Sequence, residues 1–131
     1  MKLAMPELIR EIDRFAVESC KIPLAELIRR SGDAVAESVR AVLTPGAAVL
    51  ILAGCGNNGA DGYAAACALA NEYRVTVFDV FSAGQQSEEG RSFLSRFSSL
   101  GGTILAYDAS GAQHEQIAHA DCIVDAIFGT G

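Results

Sequence analysis

Ala47-Ala48-Val49-Leu50-Ile51-Leu52-Ala53-Gly54-Cys55-Gly56-Asn57-Asn58-Gly59-Ala60-Asp61-Gly62 decides the fold of this chain. An apolar run of strand length breaks into glycines, paired carboxamides and an aspartate, and an Ala-rich helical stretch follows from Asp61 to Tyr73. A strand that turns through glycine into a helix opens a βαβ unit, and the helix start gathers backbone N–H groups where a polar ligand can sit. Three more apolar runs follow at parallel-sheet spacing: Val75 to Phe81, Thr103 to Tyr107 and Cys122 to Phe128. They are nearly continuous in apolar character, as expected of strands covered on both faces.

Helical patterns separate these runs. Ser87 to Leu100 offers Phe93, Leu94, Phe97 and Leu100 as an inner face, and Ala112 to His119 is a shorter helix. Upstream, Met5, Leu8, Ile9, Ile12, Phe15 and Ala16 recur at helical spacing, with Glu7, Arg10, Glu11 and Arg14 on the other side. Pro23 opens a second helix whose stripe runs to Leu43, where Thr44-Pro45-Gly46 ends it. Alternating strands and helices predict an α/β fold with right-handed crossovers: a Rossmann-like three-layer α/β/α domain over residues 1–131, with a mainly parallel sheet and two N-terminal helices. The chain closes on Phe128-Gly129-Thr130-Gly131, in the loop after the fourth strand, so we expect a domain incomplete at its C-terminus.

Composition narrows the function. At 131 residues, half of them hydrophobic, the chain holds one core. A net charge of −6 argues against nucleic acid. No run approaches the ~20 apolar residues of a membrane span, and charged residues follow early at Glu7 and Arg10, so we expect a soluble cytoplasmic protein. Cys20, Cys55, Cys67 and Cys122 form no C-x-x-C pair and read as reduced thiols. Only Cys55 sits in the glycine loop, and no histidine lies near it in sequence to make it a nucleophile. His114 and His119, five apart, face different sides of a helix and make a poor metal pair.

Two loops at the carboxyl ends of strands carry unusual chemistry, and that is where open α/β sheets bind ligands. In the first, Gly54-Cys55-Gly56-Asn57-Asn58-Gly59 is a G-x-G-x-x-G string, with Asp79 lying 20 residues beyond Gly59. Asn57 and Asn58 are compatible with a plain turn, and Asp61 with a helix cap. The unbroken string exceeds what a turn requires, and its carboxamides and carboxylate suit sugar hydroxyls, an amide or a cation. In the second loop Asp125 interrupts an apolar strand. It reads either as a strand-end acid bonded to backbone N–H groups or as a ligand for a cation or hydroxyl. Carbonyl, carboxamide and one carboxylate oxygen suit a monovalent cation such as potassium. Asp79 is a candidate ribose acid or an edge acid, and Ser82 to Ser87 either lines the site or caps a helix.

Gly54-x-Gly56-Asn57-Asn58-Gly59-x-Asp61-Gly62 and Val124-Asp125-Ala126-Ile127-Phe128-Gly129-Thr130-Gly131 resemble the two signature loops of the YjeF N-terminal domain, the NAD(P)H-hydrate epimerases. The resemblance covers the whole chain. It implies an isomerase that interconverts the R and S forms of hydrated NADH or NADPH (NAD(P)HX) in nucleotide repair. It also implies a bound potassium ion, a homodimer, and a partner dehydratase that is fused or separate. By position, Asn57, Asn58, Gly59, Ala60 and Asp61 would contact substrate, and Asn58 and Asp125 would hold potassium. Gly129, Thr130 and Gly131 would open the loop around the substrate's phosphates. The chain departs from the family at Ala60, where a second glycine is usual, and it lacks the later Asp-x-Pro-Ser-Gly segment, so the expected catalytic aspartate lies beyond Gly131. The rival readings are a dinucleotide-binding oxidoreductase domain using Asp79 for a ribose, and a non-catalytic binding or scaffold module of the same fold.

Overall fold

The computed structural model of the chain describes residues 5–81, 85–108, 110–111 and 113–129. The described residues form nine elements: α1 (Pro6–Glu18), α2 (Leu24–Val42), β1 (Ala48–Ala53), α3 (Asn57–Leu69), β2 (Arg74–Asp79), α4 (Glu88–Ser99), β3 (Thr103–Ala106), α5 (His114–Ala118) and β4 (Cys122–Ala126). The four strands form one sheet in the order β3-β2-β1-β4, and every pair is parallel.

Local chemistry explains the boundaries. Pro6 occupies the first turn of α1, where its missing N–H costs nothing. Ser87 caps α4 by accepting the Gly90 N–H at 3.1 Å, and Glu88 and Glu89 complement the positive end of the helix. Gly101, at φ +80°, turns the chain out of α4. Two strands stop earlier than their apolar runs. The β1 ladder ends at Ala53, opposite Asp79 on one side and Ala126 on the other, so neither partner continues to Phe81 or Phe128. Leu100, expected on the inner face, is the exposed residue that ends α4.

The connections dictate the layers. β1 to β2 to β3 moves one way across the sheet, and right-handed crossovers place α3 and α4 on one face. There Val49, Ile51, Ala53, Val75 and Val77 pack against Ala65, Leu69, Phe93 and Phe97, with α2 outside α3. The return from β3 to β4 reverses direction, so the same handedness puts α5 on the other face, where Gln116 and His119 share a cleft with Leu50 and Thr76. This second layer is thin. Leu50 and Phe78 are buried beneath it, but Ile123 and Asp125 on the edge strand are exposed. Asp125 is thus exposed on a strand whose apolar run predicts cover on both faces.

α1 departs from its expected role. Met5, Leu8, Ile12 and Phe15 make the predicted apolar stripe, yet none of the helix is buried and the stripe faces solvent. No helix among the described residues is long and apolar enough to cross a membrane.

Candidate functional site

The order β3-β2-β1-β4 reverses direction between β1 and β4, and ligands of open α/β sheets collect beyond such a switch point. The two unusual loops leave β1 and β4 at that point. They are joined by backbone contact: the Gly54 N–H donates to the Ala126 carbonyl at 3.0 Å. A Cβ on Gly54 would lie 2.0 Å from the Ile127 carbonyl oxygen, and one on Gly59 would lie 1.9 Å from the Gly54 carbonyl oxygen. The glycines of the string thus let three backbones, β4 exit, β1 exit and α3 start, stack directly on one another.

This stacking draws α3 in earlier than expected. The helix starts at Asn57, not Asp61, with Gly56 as an N-cap that offers no side chain. No side chain caps the first turn of α3. Asn57 and Asn58 are therefore helical rather than turn residues, and Asp61 sits a turn inside the helix, where it caps nothing. The Asn58 Nδ2 donates across the switch point to the Phe128 carbonyl at 2.9 Å, and Gly129 packs against the Asn58 Cβ.

A cleft of about 490 Å³ lies over this junction, lined by Gly56, Asn57, Asn58, Asp61, Ile127 and Gly129 below and by α1 and Ser31 above. The structure brings Asn57, Asn58, Asp61 and Gly129 together on it. Gly59 and Ala60 are buried behind its wall, Ala60 beside Gly90 of α4, and do not line it. Thr130 and Gly131 lie outside the described residues, as do Ser82, Ala83 and Gly84. Asp125 is not in the lining. Its Oδ1 accepts the Ile127 N–H at 3.0 Å, a strand-end turn that shapes the second loop. Two smaller clefts, of 270 and 290 Å³, lie by the amino ends of the strands, away from the expected binding rim.

The upper wall holds residues that the motifs did not point to: Ile9, Arg10 and Asp13 of α1 and Ser31 of α2. The available signal was weak, three side chains at i, i+1 and i+4 beside an apolar stripe. Asp13 faces Asp61 electrically. Burial raises the Asp61 carboxyl to about 6, and the Asp13 charge adds to the rise. Arg10 pairs with Glu7 at 3.4 Å, both exposed.

Asp79 is not at the rim. It is 7 % exposed, and its Oδ2 accepts the Gln86 Nε2 at 2.7 Å, so this carboxylate faces the interior and is closed to a ribose. Its titration is raised chiefly by burial. Among the described residues no group of three or more His, Cys, Asp or Glu is arranged to hold a metal, and His114 and His119 lie on and after α5, far in sequence from both loops.

Fold and cleft together define the class: a Rossmann-type α/β domain with a cleft at the sheet's switch point. The chain belongs to the family described as YjeF-related protein N-terminus, whose model matches residues 24–131. It is 37 % identical over 132 aligned residues to the bifunctional NAD(P)H-hydrate repair enzyme Nnr of Methanospirillum hungatei, covering 98 % of this chain and 27 % of that one. It is 32 % identical to the NAD(P)H-hydrate epimerase of Rhodobacter capsulatus, covering 94 % of this chain and 59 % of that one. The crystal structure of yeast ynu0 superposes with a TM-score of 0.86 at 28 % identity, covering 99 % of this chain and 58 % of the yeast chain. The chain thus spans between about a quarter and three-fifths of the length of these relatives. α1, which walls the cleft, lies before the family-matched residues.

Proposed function

We propose that this domain binds hydrated NADH or NADPH and serves the interconversion of its R and S epimers. The carrying observation is the Asn58 bond to the Phe128 carbonyl, which couples both signature loops and leaves Asn57, Asp61 and Gly129 on one cleft. The names of the relatives support the substrate, since they are NAD(P)H-hydrate epimerases and repair enzymes. Uncapped N–H groups at the α3 start suit a diphosphate without requiring lysine. Asp61, at about 6, carries a proton on part of the molecules near neutrality and suits donation to a ring or ribose hydroxyl. Epimerisation at a carbon bearing hydroxyl and nitrogen requires a proton carrier. Gly59, Ala60, Thr130 and Gly131 remain contact candidates through their backbone.

Potassium fits the donor chemistry here. Asn58 commits its nitrogen to Phe128 and keeps its carboxamide oxygen, and Asp125 uses only Oδ1 in the turn. Oxygen donors with one formal charge suit a monovalent ion. A dehydratase acting on the same nucleotide is the proposed partner, supported by the bifunctional relatives. The exposed stripe of α1 supports a homodimer, and the four free cysteines support a reducing, cytoplasmic setting.

Calorimetric titration of this chain with NADHX, with and without potassium, tests the reading. We expect potassium-enhanced binding that Asn58→Ala weakens at least tenfold. Equal affinity of the parent and Asn58→Ala chains for NADHX would refute it.

A further inference from the structure

We propose that Asp79 and Gln86 are positioning residues that hold the glycine loop, Gly54 to Gly56, in the shape the cleft requires. Both are buried, at 7 % and 5 % exposure, in a region where apolar side chains would pack without desolvation cost. Their bond, at 2.7 Å, ties the carboxyl end of β2 to the segment before α4. That segment is fixed from three further directions. The Arg91 Nη1 donates to the Gln86 carbonyl at 2.6 Å, Ser87 Oγ caps α4, and the Ser87 N–H donates to the Cys55 carbonyl at 3.2 Å. Cys55 is the middle residue of the glycine loop. Its carbonyl is therefore pinned by a neighbour whose own place is set by the Asp79–Gln86 pair.

The loop cannot shift alone. Gly54 lies against the Gly59 backbone on one side and Ile127 on the other, so movement at Cys55 passes directly to the start of α3 and to Asn58. Tyr63, one turn into α3 from Gly59 and fully buried, completes the cluster. Burial raises the titration of its hydroxyl, and the Asp79 carboxylate and Gln86 lie close enough to act on it, although neither the hydroxyl nor Asp79 Oδ1 makes a hydrogen bond of full geometry. Buried polar groups whose contacts fall short of full hydrogen-bond geometry contribute little to stability. What this set supplies is a single location for residues 85–87.

The loop carries its own reporter, because Cys55 is half-buried there, while Cys67 and Cys122 are half-buried elsewhere. The test is the rate of alkylation by N-ethylmaleimide at each cysteine of the full chain, resolved by peptide mass spectrometry. Gln86→Met keeps the volume and removes the donor. We expect at least a tenfold faster reaction at Cys55 with Cys67 and Cys122 unchanged. Asp79→Asn retains an oxygen toward Gln86 and is expected to react at the parental rate, and Asp79→Leu replaces Gln86→Met if the latter does not fold. An unchanged Cys55 rate, or an equal rise at all three thiols, would overturn the proposal. Its functional consequence rests on the nucleotide reading above, but the thiol rates do not, so a loosened loop with unaltered NADHX affinity would count against that reading alone.

Discussion

Asp61→Asn is expected to stabilise the protein at neutral pH while weakening its cleft. The Asp61 carboxyl is half-buried in the wall of the cleft and faces the Asp13 charge, and its folded-state value is raised from 3.8 to about 6. A folded-state value above the unfolded one means that the native protein binds the proton more tightly. Stability is then greatest below pH 4, falls as pH rises from about 4 to 6, and stays lower above that range. At about 1.4 kcal/mol per tenfold change in proton affinity the full penalty is about 3 kcal/mol. Solvent reaching the carboxylate reduces this to about 1–2 kcal/mol. Asn has the same shape and no charge, so the gain in the variant appears only above the titration. Urea melts followed by circular dichroism measure it at several pH values. The expected difference is near zero at about pH 4 and about 1–2 kcal/mol in favour of Asn at about pH 7.5, or roughly 3–6 °C in Tm. A difference of the same size at both pH values, or a variant less stable at neutrality, would refute the reasoning. The accompanying loss of nucleotide affinity would mark the acid as one kept at a stability cost for its contact with ligand.

Three further outcomes follow from particular contacts. Gly59→Ala forces a methyl to 1.9 Å from the Gly54 carbonyl oxygen, and the resulting shift of α3 should cost about 3 kcal/mol in urea titration; a loss under 1 kcal/mol would show that the three-backbone stack is loose. Tyr63→Phe removes a fully buried hydroxyl that makes no hydrogen bond of full geometry and should be neutral or stabilising by about 1 kcal/mol, whereas a clear loss in the same assay would mean that the hydroxyl is satisfied by Asp79 or Gln86. Ile12→Ser alters a residue 55 % exposed on α1 and should change monomer stability by less than about 0.5 kcal/mol, while shifting the sedimentation profile from dimer to monomer; an unaltered profile removes the α1 stripe from the interface.

The strands were legible because fully covered parallel strands must be apolar along their length, and β1, Ala48–Ala53, lies within the apolar run that opens at Ala47. The helix of α4 was legible because Ser87, Phe93 and Phe97 carry a cap and a stripe at helical spacing. The start of α3 was not. Two asparagines and a glycine have poor intrinsic helix preference, and it is contact with Gly54 and Phe128 that makes Asn57 and Asn58 helical. The burial of Asp79 and Asp125 was not legible either. Both lie near the carboxyl end of an apolar strand, but β2 is interior and β4 is an edge, so one acid is buried and the other exposed.

From its residues alone, this chain specifies an α/β order, a parallel sheet and two loops rich in oxygen donors, because periodicity and glycine placement are local properties that any neighbour must respect. Strand order is not local. Only the packed sheet decides that β4 lies beside β1, that Asn58 reaches Phe128, and that α1 roofs the cleft with Arg10 and Asp13. Those contacts join residues tens of positions apart, and their existence depends on how helices of fixed handedness cross the sheet, which no window of sequence contains.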